Sequence, residues 1–291
     1  MFVIIGAGGF LGSEMIHSVI NHTSDCVLAV ARNGNVYEKE NSRVEVVEGD
    51  IENEDFISQL IRKINSYDNV TLLWTVACHN IDFVAENPDS AYKLNVEIPR
   101  KVLGELKNVK RLFFTSSDTV YGEGGKHLFS ENDRLQPISV YGKQKAEAEK
   151  VFLQYGGVIL RLPLMFSQSR AVSKKHFCDV VCENLLSGRQ TTLTTGFLRS
   201  ALSYSDVADI ITQLSYEEAL PSVINVAGDD SLSKYQLGLM LAEKLGADKN
   251  LLICADKWGE FREGAERAQS TLLDNTLLKN ILGREEIKMK L

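Results

Sequence analysis

The sequence predicts an α/β fold, a doubly wound parallel sheet followed by a smaller C-terminal lobe. Three observations predict it. Short apolar runs alternate with amphipathic stretches of helical period through the first half of the chain. A glycine triplet sits between the first apolar run and the first helical stretch. After Pro163 the alternation breaks down. Strands that alternate with helices of ~10–15 residues imply a parallel sheet with both faces covered.

The elements follow in order. Phe2–Ile5 is an apolar run that ends at glycine, and a helical pattern runs from Leu11 to Ile20. Cys26–Val30 and Val44–Val47 are the next strands, with a helix near Glu54–Ile64. Thr71–Ala77 is a buried strand, followed by a helix near Ser90–Leu106. Arg111–Thr115, a helix from about Tyr141 to Tyr155, and Val158–Leu162 close the series. Residues 1–163 therefore form the expected nucleotide-binding domain. Residues 164–291 form the lobe, with returns to the main sheet around 200–228. Val223–Val226 is a further strand, and a helix follows to Leu245 with Ser231 or Ser233 as its cap.

Composition excludes several classes. The 291 residues are 44% hydrophobic and 24% charged, enough for a sizeable core. The net charge of −7 lacks the basic footprint of a nucleic-acid binder. No apolar run approaches the ~20 residues that span a bilayer. The first basic residue is Arg32, so the start has no basic leader and a cytosolic setting is expected. The five cysteines are odd in number and scattered, which argues against a disulfide framework. Cys178 and Cys182 share a helix face but have no histidine cluster beside them, so no metal is expected.

Gly6, Gly9 and Gly12 form G-x-x-G-x-x-G between the first strand and the first helix. Such glycines permit a tight turn, close backbone approach to a pyrophosphate and close helix–strand packing. The helix start then offers free N–H groups to the phosphates. This predicts a Rossmann-type dinucleotide site, with Phe10 and Leu11 inside the loop as further contacts. The second strand ends in Ala31–Arg32, without the acidic residue that binds a ribose 2′-hydroxyl. A guanidinium suits a 2′-phosphate. NADP(H) is thus the expected cofactor, with NAD as the alternative. Asp50, beside Ile51 at the end of the third strand, is placed to accept from the adenine amino group or to cap the next helix.

Tyr141 and Lys145 stand four apart on a helix and face the same way. An ammonium beside a phenol lowers the phenol's pKa and makes Tyr141 a usable acid/base. Lys145 also lies within reach of the nicotinamide ribose. Ser117 lies just past the strand Arg111–Thr115, at the carboxyl edge where such sheets bind ligands. Its hydroxyl can steady a developing oxyanion.

Together these residues resemble the extended short-chain dehydrogenase/reductase family, the NAD-dependent epimerase/dehydratase group. The family's Ser/Thr–Tyr–Lys triad falls on Ser117, Tyr141 and Lys145. Val120-Tyr121-Gly122 and the fourth-strand Ala77 also match. A narrower resemblance is to dTDP-4-dehydrorhamnose reductases. It is carried by Ile81-Asp82-Phe83-Val84-Ala85-Glu86-Asn87-Pro88, then Ala91 and Asn95, and by Asp118 after the catalytic hydroxyl. The resemblance implies that Asn95 and Ala77 contact the cofactor, and that Asp118, Arg199 and Arg267 contact a nucleotide-sugar substrate. Arg199 and Asp206 keep the spacing of the family's Arg-Asp-Tyr-Ile-His-Val-x-Asp segment, and Asp206, ahead of Val207-Ala208, also reads as a helix cap. There are departures: Ile5 replaces the usual Thr before the first glycine, Ala268 replaces a Pro, and Thr119 stands where 4,6-dehydratases carry Glu. The implied activity is reduction of a nucleotide-activated keto-sugar. A nucleotide-sugar 4-epimerase and a non-catalytic cofactor-binding subunit are the alternatives, and a homodimer is compatible with either.

Overall fold

The computed structural model describes residues 1–168, 170–172, 174–255 and 261–290. The chain opens with β1 (Phe2–Ile5), α1 (Phe10–His22), β2 (Val27–Ala31), β3 (Val44–Glu48), α2 (Glu54–Ile64) and β4 (Val70–Trp74). It continues through α3 (Ile81–Glu86), α4 (Pro88–Tyr92), a π-helical turn at Lys93–Glu97, α5 (Ile98–Glu105) and β5 (Val109–Ser117). Then come β6 (Leu128–Phe129), α6 (Val140–Gln154), β7 (Val158–Leu162), β8 (Leu164–Met165), α7 (Phe177–Leu186), β9 (Thr191–Thr194) and β10 (Leu198–Leu202). The last elements are α8 (Tyr204–Leu214), β11 (Val223–Asn225), β12 (Ser231–Leu232), α9 (Lys234–Leu245), β13 (Leu252–Ala255), β14 (Ser270–Leu273) and α10 (Thr276–Leu282).

Among the described residues the main sheet has seven strands in the order β11-β7-β5-β4-β1-β2-β3. Every pairing in it is parallel. The strand order reverses between β1 and β4, and ligands of open α/β sheets bind in the crevice at such a reversal. Strand periodicity explains the burial on both faces. Phe2 and Ile4 enter one core with α1, α8 and α10, while Val3 and Ile5 enter the other with α2, α5 and α6.

The remaining strands form β12-β10-β14-β6, with β8 also on β10, and the pair β13-β9. Their core gathers Phe166, Cys178, Cys182, Leu237 and Leu241 around α7 and α9. Between these pieces, α8 packs on α1 and β11 extends the main sheet beside β7. No helix among the described residues is long and apolar enough to cross a membrane.

Local chemistry sets several boundaries differently from the sequence reading. The strand expected over Thr71–Ala77 stops at Trp74, which frees Thr75–Ala77 to line a cavity. The helix expected over Ser90–Leu106 is broken into α4, the π turn and α5, and the separate helix α3 precedes it, capped by Asn80. Ser233 rather than Ser231 caps α9, in a reciprocal box with Gln236. Asp206 does not cap α8: Ser203 does, accepting from the Asp206 N–H at 3.0 Å. Asp50 does not cap α2, because Asn53 takes that place.

Candidate active site

The glycine turn shows why each glycine is there. Gly6 has φ +102°, and a Cβ on it would lie 2.4 Å from Thr75 Oγ1. A Cβ on Gly12 would lie 2.3 Å from the Gly6 carbonyl oxygen and 2.7 Å from Ala7 Cα, so α1 can seat against β1 only without a side chain there. Gly9 caps α1 with no side-chain bond, and the first turn of the helix carries no acidic residue. That end borders a cavity of about 850 Å³ lined by Gly6, Gly9, Phe10, Leu11 and Gly12. An N–H-rich helix start on an open glycine turn fits a dinucleotide pyrophosphate. Arg32, Asp50, Ile51 and Ala77 line the same cavity. Arg32 Nε sits 3.3 Å from Asp50 Oδ2, both side chains largely exposed.

The predicted catalytic set lines this cavity as well: Ser117 at the end of β5, and Tyr141 and Lys145 on α6. Ser139 fixes the start of α6 by accepting from the Gly142 N–H at 3.1 Å. Lys145 Nζ donates to the Thr115 carbonyl at 2.6 Å and lies 4.0 Å above the Phe114 ring. Burial pushes the Lys145 ammonium down to about 7, against the pull of Glu149. The Tyr141 phenol is not depressed as the sequence reading expected. Burial raises it, and the Asp118 carboxylate and Cys78 raise it further. In this arrangement one lysine N–H goes to the Thr115 carbonyl and the phenol stays protonated.

Behind the site lies a buried ion pair. Glu149 on α6 accepts from Arg161 Nη2 at 2.8 Å and from Ser116 Oγ at 2.5 Å. Arg161 also donates to the Tyr121 hydroxyl at 2.7 Å, and that hydroxyl donates to Asn225 Oδ1 at 2.8 Å. Breaking such a pair from one side leaves an uncompensated buried charge and costs about 3–5 kcal/mol. The network ties α6, β5, β7 and β11 together directly beneath Ser117 and Lys145.

The residues expected to meet a substrate also converge. Asp118, Arg199 and Arg267 line the cavity. Arg199 is more committed than expected: it donates to the carbonyls of Leu198, Gln269 and Ala268, and its Nε faces Asp118 Oδ2 at 3.4 Å. Arg267 pairs with Asp82 at 2.7 Å. Asn95 does not line the cavity. It sits buried in the π turn, accepts from the Cys78 N–H at 2.7 Å, and donates to the Cys78 carbonyl and to Gln144 Oε1. With both amide protons spent on Cys78 and Gln144, Asn95 shapes the loop after β4 from behind.

The sequence reading missed His176, Lys174 and Lys234, which complete the lining. His176 caps α7 and is pushed down to about 4, mainly by burial, among Phe10, Phe177 and Tyr204. Lys234 opens α9, where a cation opposes the helix dipole, and that misfit was the one available signal. Among the described residues no three His, Cys, Asp or Glu side chains cluster as a metal site, and Cys178 and Cys182 lie buried in the core of the lobe.

Solved structures share this architecture. A dTDP-glucose 4,6-dehydratase from Streptomyces venezuelae with NAD and TYD bound superposes with a TM-score of 0.81 at 20% identity, covering 99% of this chain and 92% of that one. A hypothetical dTDP-4-dehydrorhamnose reductase from Sulfolobus tokodaii gives 0.79 at 22% identity, covering 99% and 97%. In sequence, the chain is 26% identical over 169 residues to the bovine (Bos taurus) methionine adenosyltransferase 2 subunit beta, across 56% of this chain and 50% of the relative. The chain thus spans about half the length of that relative. It is 22% identical to a dTDP-4-dehydrorhamnose reductase of Aggregatibacter actinomycetemcomitans, over 97% of this chain and 92% of the relative. The family model for the NAD dependent epimerase/dehydratase family matches residues 2–227, well over half of the chain, and the chain belongs to that family.

Proposed function

We propose that the chain is an NADPH-dependent reductase of a nucleotide-activated keto-sugar. The observation that carries the reading is one continuous cavity lined both by the glycine turn with Arg32 and by Ser117, Tyr141 and Lys145, with Arg199, Lys234 and Arg267 in the same wall. The full-length match to a dTDP-4-dehydrorhamnose reductase supports the substrate class. The nicotinamide, when bound, supplies the hydride. This chain's residues supply placement and protons. Tyr141, a protonated phenol in a buried setting, gives its proton to the carbonyl oxygen as it becomes an alkoxide. Ser117 donates to that oxygen and lowers the cost of its developing charge. Lys145, buried one turn along the same helix, orients the ribose of the cofactor and restores the proton of Tyr141. The cations of the lobe suit the phosphates of the substrate in a protein whose net charge is −7.

The test is NADPH oxidation, followed by loss of the reduced-nicotinamide absorbance, against a panel of nucleotide 4-keto-sugars. Stoichiometric oxidation with at least one sugar is expected. Interconversion of two sugars with no net absorbance change would make the chain an epimerase instead. Tight NADPH binding with no turnover on any sugar would favour the non-catalytic reading, to which the "subunit beta" relatives lend support.

A further inference from the structure

The Ser117 hydroxyl is fully used inside the protein. A serine hydroxyl has one proton to give and two lone pairs to fill. Ser117 Oγ accepts from the Thr119 N–H at 3.2 Å and from Thr119 Oγ1 at 3.0 Å. Its one proton goes to Asp118 Oδ1 at 3.0 Å. In this state it cannot donate to a substrate oxygen. Something must release the proton, and the group that holds it is the Asp118 carboxylate.

Asp118 is poorly provided for as a carboxylate. It is 5% exposed, and among the described residues its Oδ2 accepts no hydrogen bond. Among the described residues its ion partner is the Arg199 guanidinium, whose Nε is 3.4 Å away and whose other donors point to three backbone carbonyls. From α6 the titratable group that faces Asp118 is Tyr141, and β14, packed on the same turn, carries no charged residue over Ser270–Leu273. Burial disfavours this anion despite the Ser117 hydroxyl on Oδ1 and the more distant Arg199 on Oδ2, and taking up a proton relieves it.

We propose that Asp118 is a positioning residue that carries a proton in the working site, and that its proton state sets the direction of the Ser117 hydroxyl. With Asp118 ionised, Ser117 donates to it and is turned away from the substrate. With Asp118 protonated by one proton from solvent, the carboxyl O–H donates to Ser117 Oγ. The Thr119 hydroxyl rotates off, since it turns freely and the Thr119 N–H does not. Ser117 then points its own proton at the substrate oxygen. No covalent bond changes, and one proton is taken up. Arg199 is the counterweight: its cation favours the ionised form, and a substrate anion that draws it away favours the protonated form. Burial holds the carboxyl above its ordinary value against the opposing pull of Arg199, of the Ser117 hydroxyl and of the Thr119 and Asp118 N–H groups, in keeping with this geometry.

The inference rests on Ser117 being a donor to the substrate oxygen, so the experiment has an arm that needs no substrate. Carboxyl-carbon NMR of the full chain, with Asp118→Asn used to assign the signal, follows the titration of Asp118. Titration above the ordinary aspartate range is expected, moving further up in Arg199→Met. Titration at or below the ordinary value overturns the proposal whether or not any sugar turns over. The second arm is kcat against pH for NADPH-dependent reduction. The wild type should lose rate as pH rises through the Asp118 titration. Asparagine offers Ser117 a permanent neutral donor, so Asp118→Asn should outpace Asp118→Ala by tenfold or more and lack that limb. Equal losses in both variants, or an unchanged pH profile in Asp118→Asn, would mean that Asp118 serves only to hold the turn.

Discussion

The glycine wall of the cavity and its polar wall are built by different means. The glycine wall is one uninterrupted turn, Gly6 to Gly12, whose function resides in backbone N–H groups and in the absence of side chains. The polar wall collects side chains from distant parts of the chain: Ser117 and Asp118 after β5, Arg199 on β10, Lys234 at the start of α9 and Arg267 before β14. In the first wall the backbone is fixed by packing that admits no Cβ at Gly6 or Gly12, although Phe10 and Leu11 place side chains there. The second depends on hydrogen bonds and ion pairs that have alternatives, and so it can be retuned by charge.

The comparison breaks hardest at Tyr141. Tyr141→Phe removes a proton donor from the polar wall and leaves the glycine wall untouched. Turnover is expected to fall by about 10²–10⁴-fold, with NADPH affinity held within about twofold. Steady-state kinetics and a fluorescence titration separate the two. Turnover close to wild type would remove Tyr141 from the chemistry.

Next in size is Arg32→Ala, at the far end of the glycine wall. Loss of a charge-assisted bond to a 2′-phosphate costs about 1.5–3 kcal/mol, roughly tenfold to a hundredfold in NADPH affinity. NADH should bind nearly as before. The exposed pairing with Asp50 adds little to stability by itself, but the variant leaves Asp50 unopposed near the phosphate. Equal losses for the two cofactors would show that Arg32 does not distinguish them.

Two alanines probe the glycine wall directly. Gly12→Ala drives a Cβ into backbone at 2.3 and 2.7 Å, and such overpacking costs about 1–3 kcal/mol. Gly8→Ala meets Ala31 Cβ at 3.5 Å and the Asn35 carbonyl oxygen at 3.8 Å, both ordinary contacts, so its stability should stay within about 0.5 kcal/mol of wild type. Urea denaturation of both variants gives the contrast. Any NADPH affinity lost in Gly8→Ala alone then reads the approach of the dinucleotide, separately from folding.

The difference between the walls also explains what was legible in the sequence. A glycine turn is local, so its spacing, its strand and its helix are visible within one window. The parallel sheet and the triad residues followed from the same kind of local pattern. Asn95 lies behind the cavity lining, a position its local spacing could not reveal because its partners, Cys78 and Gln144, are distant in sequence. Asp206 and Asp50 looked like caps, yet Ser203 and Asn53 lie where the helices start. Lys234 and His176 were invisible as site residues, since only the pairing of β10 with β12 and the turn into α7 bring them to the cavity. The proton states of Tyr141 and Lys145 were unreadable for another reason: spacing reveals that two groups are neighbours, but burial decides which of them is charged.

A stability measurement tests that last point. Lys145 has a folded-state pKa of about 7 against an ordinary 10.5. Between those values the unfolded chain binds a proton that the folded chain does not, so the wild type gains stability as pH rises through that window. Below it the penalty of burying the ammonium is fully present. Above it both states are neutral and the penalty is gone. Lys145→Met removes the titrating group while keeping much of the apolar stem over Phe114. At neutral pH the variant should therefore be more stable than wild type by about 1–3 kcal/mol, the range found when buried charges are replaced by apolar groups. Near the ordinary lysine pKa the sign should turn, because only the lost bond to the Thr115 carbonyl remains, worth about 0.5–1.5 kcal/mol. Activity should be lost at both pH values, as expected where a functional residue is kept at the expense of stability. Urea denaturation at the two pH values is the measurement. A variant less stable than wild type at neutral pH would mean that Lys145 is a stabilising cation in the folded protein, and that the polar wall is as rigid as the glycine one.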